Sequence, residues 1–160
     1  MFIKKRNRMN NARSDVDVQL KRRHELIPNL IQTVKGYKAF ESSTLEKITT
    51  LRTSAIHQHK KENKIHTELQ LDNTLKNIFA VAENYPKLKA SEQFLNLQKE
   101  LSQTENNIQN ARRYYNATVR EYNNSYQSFP SNIIAKFFNF QKGIFFEAQQ
   151  QEKTNTKVNF

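Results

Sequence analysis

Between Phe94 and Phe129 the apolar and aromatic residues fall three and four positions apart: Phe94, Leu97, Leu101, Thr104, Ile108, Ala111, Tyr115, Tyr122 and Tyr126, with Val119 beside the row. A strand turns over at every residue, so this spacing belongs to a helix. A stripe of this length also needs long partners to cover it. Ser91 stands at the N-cap position, Glu92 sets negative charge in the first turn, and Pro130 closes the helix after Phe129. A second stripe, Val16, Leu20, Ile27, Leu30, Ile31, Val34 and Tyr37, predicts a first helix from about Asn7 to Phe40. Pro28 lies inside it and lacks the backbone donor a helix needs, so a kink or a restart is expected there.

Two shorter helices are predicted between the long ones, each announced by a capping-box spacing, Ser43 with Glu46 and Thr67 with Gln70. The first would bury Leu45, Ile48, Leu51 and Ala55. The second would bury Leu71, Leu75, Ile78, Ala82 and Tyr85 before Pro86 ends it, and the polar stretch from His57 to His66 reads as the loop between them. The fold class is all-α, an up-and-down four-helix bundle with long first and fourth helices, the first kinked at Pro28. Residues 1–10 form a basic N-terminal segment, 7–129 the helical bundle, 130–148 a short amphipathic aromatic segment, and 149–160 a polar tail expected to be disordered.

Composition agrees. Only two glycines and three prolines occur in 160 residues, which leaves few turns and favours long helices. The chain has no cysteine, which excludes thiol redox chemistry, thiolate metal sites and a disulfide framework. Lys and Arg number 26 against 15 Asp and Glu, a formal net charge of +11, so the surface attracts polyanions. No apolar run approaches the roughly 18 residues of a membrane span, and Met1-Phe2-Ile3 before Lys4-Lys5-Arg6 is too short for a signal peptide, so the chain as given reads as soluble.

The residues offer little to an enzyme. His24-Glu25 begins a zinc-protease HExxH pattern, but Pro28 occupies the place of the second histidine. His57, His59 and His66 lack both a carboxylate and a common helical face, so they read as solvated and no metal is expected. Gly36 and Gly143 are too far apart for a phosphate loop, and no serine sits in a nucleophile elbow. No catalytic residue, cofactor or small-molecule substrate is expected. Asp17, between Val16 and Leu20 at the edge of the buried stripe, needs a partner there, and Arg112, Arg113 and Arg120 are the candidates for an interhelical polar contact. Basic clusters occur at Lys4, Lys5, Arg6 and Arg8 and at Lys21, Arg22 and Arg23. They lack the interleaved exposed aromatics of a nucleic-acid surface, which makes nucleic acid the weaker choice of partner.

Several stretches carry a family resemblance: Asp17-Val18-Gln19-Leu20-Lys21-Arg22-Arg23, Leu26-Ile27-Pro28-Asn29-Leu30, Val34-Lys35-Gly36-Tyr37, Glu83-Asn84-Tyr85-Pro86, Ala111-Arg112-Arg113-Tyr114-Tyr115-Asn116, Val119-Arg120-Glu121-Tyr122-Asn123 and Phe129-Pro130-Ser131-Asn132. From about Asn11 to the end the chain resembles the LemA proteins. That resemblance implies a four-helix bundle behind an N-terminal membrane helix, in bacterial proteins whose biochemical role is unassigned, and it implies no activity or cofactor. The sequence departs from the pattern at Arg13, where the family usually has an aromatic residue, and no membrane helix stands ahead of Lys4. In the family arrangement Lys4, Lys5, Arg6 and Arg8 become a juxtamembrane basic collar, and the positive-inside rule places the bundle on the cytoplasmic side of the membrane. Phe137, Phe138, Phe140, Phe145 and Phe146 form a second candidate surface, for lipid or a protein partner, or a lid that packs back on the bundle. The expected function is a membrane-associated scaffold or interaction module. Its rival is a helical protein that binds nucleic acid or anionic lipid as a polyanion.

Overall fold

The computed structural model describes residues 2–37 and 40–146. Among them are six helices and no strand: α1 (Phe2–Val34), α2 (Ser42–His57), α3 (Lys61–Ala82), α4 (Pro86–Lys89), α5 (Glu92–Gln127) and α6 (Ser131–Phe137). The expected tail at 149–160, and the last two residues of the expected 130–148 segment, lie outside the described residues.

α5 carries the seam as read. Phe94, Leu97, Leu101, Thr104, Ile108, Tyr115, Val119 and Tyr122 are buried, with Ala111 and Tyr126 half-buried. Ser91 caps it, its Oγ accepting from the Phe94 N–H at 3.4 Å. α1 begins and ends earlier than the stripe suggested, because Phe2 is already buried and helical and the chain turns at Lys35-Gly36. It also passes through Pro28 without a restart. Proline cannot donate to the carbonyl four residues back, that of His24, and Arg52 of α2 supplies the missing donor from Nε at 2.6 Å. The helix thus keeps its carbonyl satisfied through a side chain from its neighbour.

Both expected capping boxes are overturned. The N-cap of α2 is Glu41, so Ser43 lies within the first turn, and Thr67 sits well inside α3 with its hydroxyl donating to the Asn63 carbonyl at 2.9 Å. α3 starts at Lys61, which shrinks the expected His57–His66 loop to residues 58–60 and gives Ile65 a buried place. Tyr85 is exposed beyond the end of α3, and Pro86, instead of merely ending a helix, opens α4 at a position where its absent donor costs nothing.

The chain divides into two compact units, one made of Leu20–Asn106 and the other of the described residues of Met1–Gln19 and Asn107–Phe160. The first has an aliphatic core in which Leu26, Ile27, Leu30 and Val34 of α1 meet Ile48 of α2, Leu71, Leu75 and Ile78 of α3, Leu88 of α4, and Phe94, Leu97 and Leu101 of α5. The second is more aromatic: Phe2, Tyr122 and Ala135 pack together with Met9, Tyr126 and Phe140. Phe2 stacks on Tyr122 with ring centroids 5.1 Å apart. No helix of the described residues is long and apolar enough to cross a membrane.

Candidate functional site

The Leu20–Asn106 unit encloses a charge cluster that the sequence reading did not find. Arg23 of α1, 1% exposed, holds three carboxylates. Its Nη2 donates to Glu68 Oε2 at 2.7 Å, and its Nη1 faces Glu105 Oε2 at 3.0 Å and Asp72 Oδ1 at 3.4 Å. Nη2 also donates to the Glu68 carbonyl at 3.2 Å. His24 Nε2 donates to the other Glu68 oxygen at 2.6 Å, and Lys76 lies 3.4 Å from Asp72. Burial pushes the Glu68 carboxyl up, but the His24 hydrogen bond and the Arg23 charge outweigh it, and the group is held below its ordinary value of 4.5. A cleft of about 240 Å³ lies against the cluster, lined by Arg23, Asp72, Lys76, Phe79, Ser102 and Glu105 among others.

Each charged group here is occupied by an opposite one, so the arrangement pins α1, α3 and α5 to one another in a fixed register. Among the described residues no group of three His, Cys, Asp or Glu is placed to hold a metal ion. The signal for this cluster was in the sequence. Arg23 interrupts the stripe between Leu20 and Ile27, Glu68 and Asp72 interrupt that between Ile65 and Leu75, and Glu105 lies between Leu101 and Ile108. A charge at helical spacing inside an apolar row must find a partner inside the fold.

The other unit holds the residues singled out from the sequence. In the basic collar, Lys4 is exposed, Lys5 Nζ donates to Ser125 Oγ at 2.7 Å, Arg6 lies over the Phe140 ring at 4.6 Å, and Arg8 faces Glu121 at 3.5 Å with both side chains largely exposed. Asp17 is half-buried, Arg113 and Arg120 are exposed, and Arg112 is buried with its guanidinium 4.4 Å over the Phe146 ring. The Tyr115 hydroxyl feels the charges of both Arg13 and Asp17. Burial raises that hydroxyl's pKa, with Arg13 opposing and Asp17 assisting.

The five phenylalanines separate into two groups. Phe146 is buried and Phe140 and Phe145 half-buried, whereas Phe137 and Phe138 are 82% and 62% exposed. Phe129, Ile133 and Ile134 are exposed as well, while Ala135 is the buried residue of α6. Past α6, residues 141–146 form neither helix nor strand and lie along α5, whose side chains meet their main-chain groups.

The chain is similar in sequence to several known proteins. Protein LemA of Metamycoplasma hominis is 28% identical over 155 residues, covering 96% of this chain and 71% of that relative. Magnetosome proteins MamQ 1 and MamQ 2 of Paramagnetospirillum magneticum are each 25% identical, with 84% of this chain aligned, and the alignment spans 59% of their own length. The LemA family model matches residues 12–160, from the third turn of α1 onward, and on that match the chain belongs to the LemA family.

Proposed function

We propose that this chain is a membrane-associated helical interaction module of the LemA type, a four-helix bundle in its larger plan, which meets an anionic lipid surface through the apolar face of α6. The observation that carries the reading is the inverted amphipathicity of that short helix. Ile133, Ile134 and Phe137 face solvent, as do the flanking Phe129 and Phe138, and the small Ala135 faces in. Contiguous exposed apolar side chains rimmed by charge mark a contact surface, and Phe and Ile are suited to the boundary between lipid headgroups and acyl chains.

Lys4, Lys136 and Lys142 are exposed in the same unit, and each basic residue close to an anionic leaflet contributes about 1 kcal/mol. The remaining collar residues are engaged with Ser125, Phe140 and Glu121, so the phenylalanines carry more of the contact than the collar does. The formal net charge of +11 acts in the same direction, and the basic start of α1 favours the cytoplasmic face. No catalysis or small-molecule substrate forms part of this reading.

The test is flotation of the full chain with vesicles of phosphatidylglycerol and phosphatidylcholine, and with phosphatidylcholine alone, at low and physiological salt. Binding to the anionic vesicles is expected, with a marked loss for Phe137→Ser/Phe138→Ser at unchanged helicity. Flotation indifferent to those substitutions overturns the proposal. Vesicles left empty while nucleic acid is shifted in a steeply salt-dependent manner would transfer the reading to polyanion binding.

A further inference from the structure

Residues 140–146 are held in the way a protein holds a peptide ligand. Tyr115 and Tyr122 of α5 donate their hydroxyls to the carbonyls of Ile144 and Gln141, each at 2.7 Å. Asn123 grips both main-chain groups of one residue, accepting from the Gly143 N–H at 2.7 Å and donating to the Gly143 carbonyl at 3.1 Å, and Asn116 accepts from the Phe146 N–H at 2.9 Å. These five bonds run from α5 side chains to the main chain of the segment. None of them reads one of its side chains.

The four gripping residues form a repeat, Tyr115-Asn116 and Tyr122-Asn123, seven positions apart. Seven residues bring a helix back almost to the same face, so the two pairs line one groove. Side-chain selection enters at three evenly spaced places. Arg6 stacks on Phe140, Arg112 stacks on Phe146, and midway between them Gly143 approaches so closely that an added Cβ would sit 2.9 Å from Met9 Sδ, 3.1 Å from Val119 Cγ1 and 3.2 Å from Asn123 Oδ1. The thioether can give way. Val119 is stiff, and Asn123 can move only by releasing its bonds to the main chain.

We propose that this face of α5 is a binding groove for extended peptides of the pattern Phe-x-x-Gly-x-x-Phe, occupied within the chain by its own residues 140–146, and that the same segment of a second copy is its occupant in trans. The recognition is of main chain plus three anchors, so a second copy's segment meets identical contacts. The segment leaves α6 through Asn139 at φ 55°, a left-handed position tolerated by asparagine, and a rotation there that breaks the Phe140 N–H bond to the Ala135 carbonyl (2.9 Å) would redirect it toward a neighbour. The tethered segment competes at an effective concentration in the millimolar range, so exchange is a property of crowded copies. The proposal rests on contacts within one unit and does not depend on the membrane reading.

The test uses a fluorescein-labelled peptide spanning residues 139–146, titrated into the full chain and into the full chain carrying Gly143→Leu, which evicts the resident segment and leaves the groove intact. The variant is expected to bind the peptide roughly tenfold or more tightly than the parent, because self-competition is gone. A peptide with the same Gly143→Leu change should bind neither, and Asn123→Ala added to the variant should abolish the gain. Should Gly143→Leu lose helicity, Phe146→Ala, which removes an anchor without adding bulk, replaces it with the same expectation. A folded eviction variant that fails to bind, or that binds both peptides equally, overturns the groove. Sedimentation velocity of the parent should reveal dimers that dissolve when free peptide is added in excess. Peptide binding without any dimer up to about 1 mM chain, the range of the tethered competitor, overturns the second copy as occupant.

Discussion

Arg23→Met leaves a side chain of similar length in place of a guanidinium that is 1% exposed and faces three carboxylates. The partners are not equally affected. Asp72 retains Lys76 at 3.4 Å, and Glu105, whose side chain is 20% exposed, reaches water, but Glu68 is fully buried and keeps only His24 among the described residues. Removing one side of a buried ion pair costs about 3 to 5 kcal/mol, chiefly for the charge left behind. At about 2 to 4 °C per kcal/mol for a chain of this size, Tm should fall by about 6 to 20 °C. Differential scanning calorimetry at neutral pH reads the shift directly. The penalty should shrink as the pH falls through the carboxylate range, because protonating Glu68 removes the charge that needed Arg23. Adding Glu68→Leu to Arg23→Met should recover much of the loss, since a buried pair replaced by apolar groups is often close to neutral. A Tm within about 2 °C of the parent for the single variant, less than 1 kcal/mol on this scale, would refute the cluster as a pin.

Leu101→Ala and Ile108→Ala, at seam positions 3% and 0% exposed, should each cost about 2 to 5 kcal/mol in urea unfolding, and unchanged midpoints would mean that the seam closes over the lost volume. Arg52→Ala should cost about 1.5 to 3 kcal/mol, the range for a hydrogen bond from a charged donor, and distinctly less once Pro28→Ala restores the backbone donor to His24. A double-mutant coupling below about 0.3 kcal/mol would show that Arg52 does not stand in for the proline's missing N–H. The lowered pKa of Glu68 means that its contribution to stability is whole above its ordinary value of 4.5 and is lost as the pH falls through the lower value of the folded state. Glu68→Gln should therefore flatten the acid limb of a stability profile below its ordinary value of 4.5, and an unaltered limb would place the titration elsewhere.

The long helices were legible because burial repeats itself along them. One misplaced residue in the α5 seam is outvoted by the eight buried ones that share its face. Helix starts depend on one or two hydrogen bonds, and here local spacing misled. Ser43 with Glu46 and Thr67 with Gln70 have the separation of a capping box, but a cap also needs a helix to begin there, and buried Ile65 extends α3 backwards past Thr67. The charge cluster escaped because Arg23 was grouped with Lys21 and Arg22 as a basic run. Those neighbours are exposed, and what distinguishes Arg23 is its angular position between Leu20 and Ile27. The grouping of the phenylalanines failed to separate exposed Phe137 from buried Phe146 for a related reason. After α6 the chain has no period from which a side could be read.

The change in character along α5 follows from what lies on it. In the Leu20–Asn106 unit the helix meets other helices, whose main-chain groups are satisfied internally, and Phe94, Leu97 and Leu101 are sufficient. Along residues 141–146 the covering element is neither helix nor strand, and its N–H and C=O groups must be met from the helix or be left desolvated at a cost. An aliphatic seam could not do this. The seam therefore turns to tyrosines, which combine apolar area with a terminal donor, and is flanked by asparagines, which offer a donor and an acceptor together. Tyr115-Asn116 and Tyr122-Asn123 then report the path of the covering segment in the helix sequence itself. A Tyr-Asn pair repeated at seven residues in a long amphipathic helix is thus a sign that irregular backbone, and not another helix, is laid on that face.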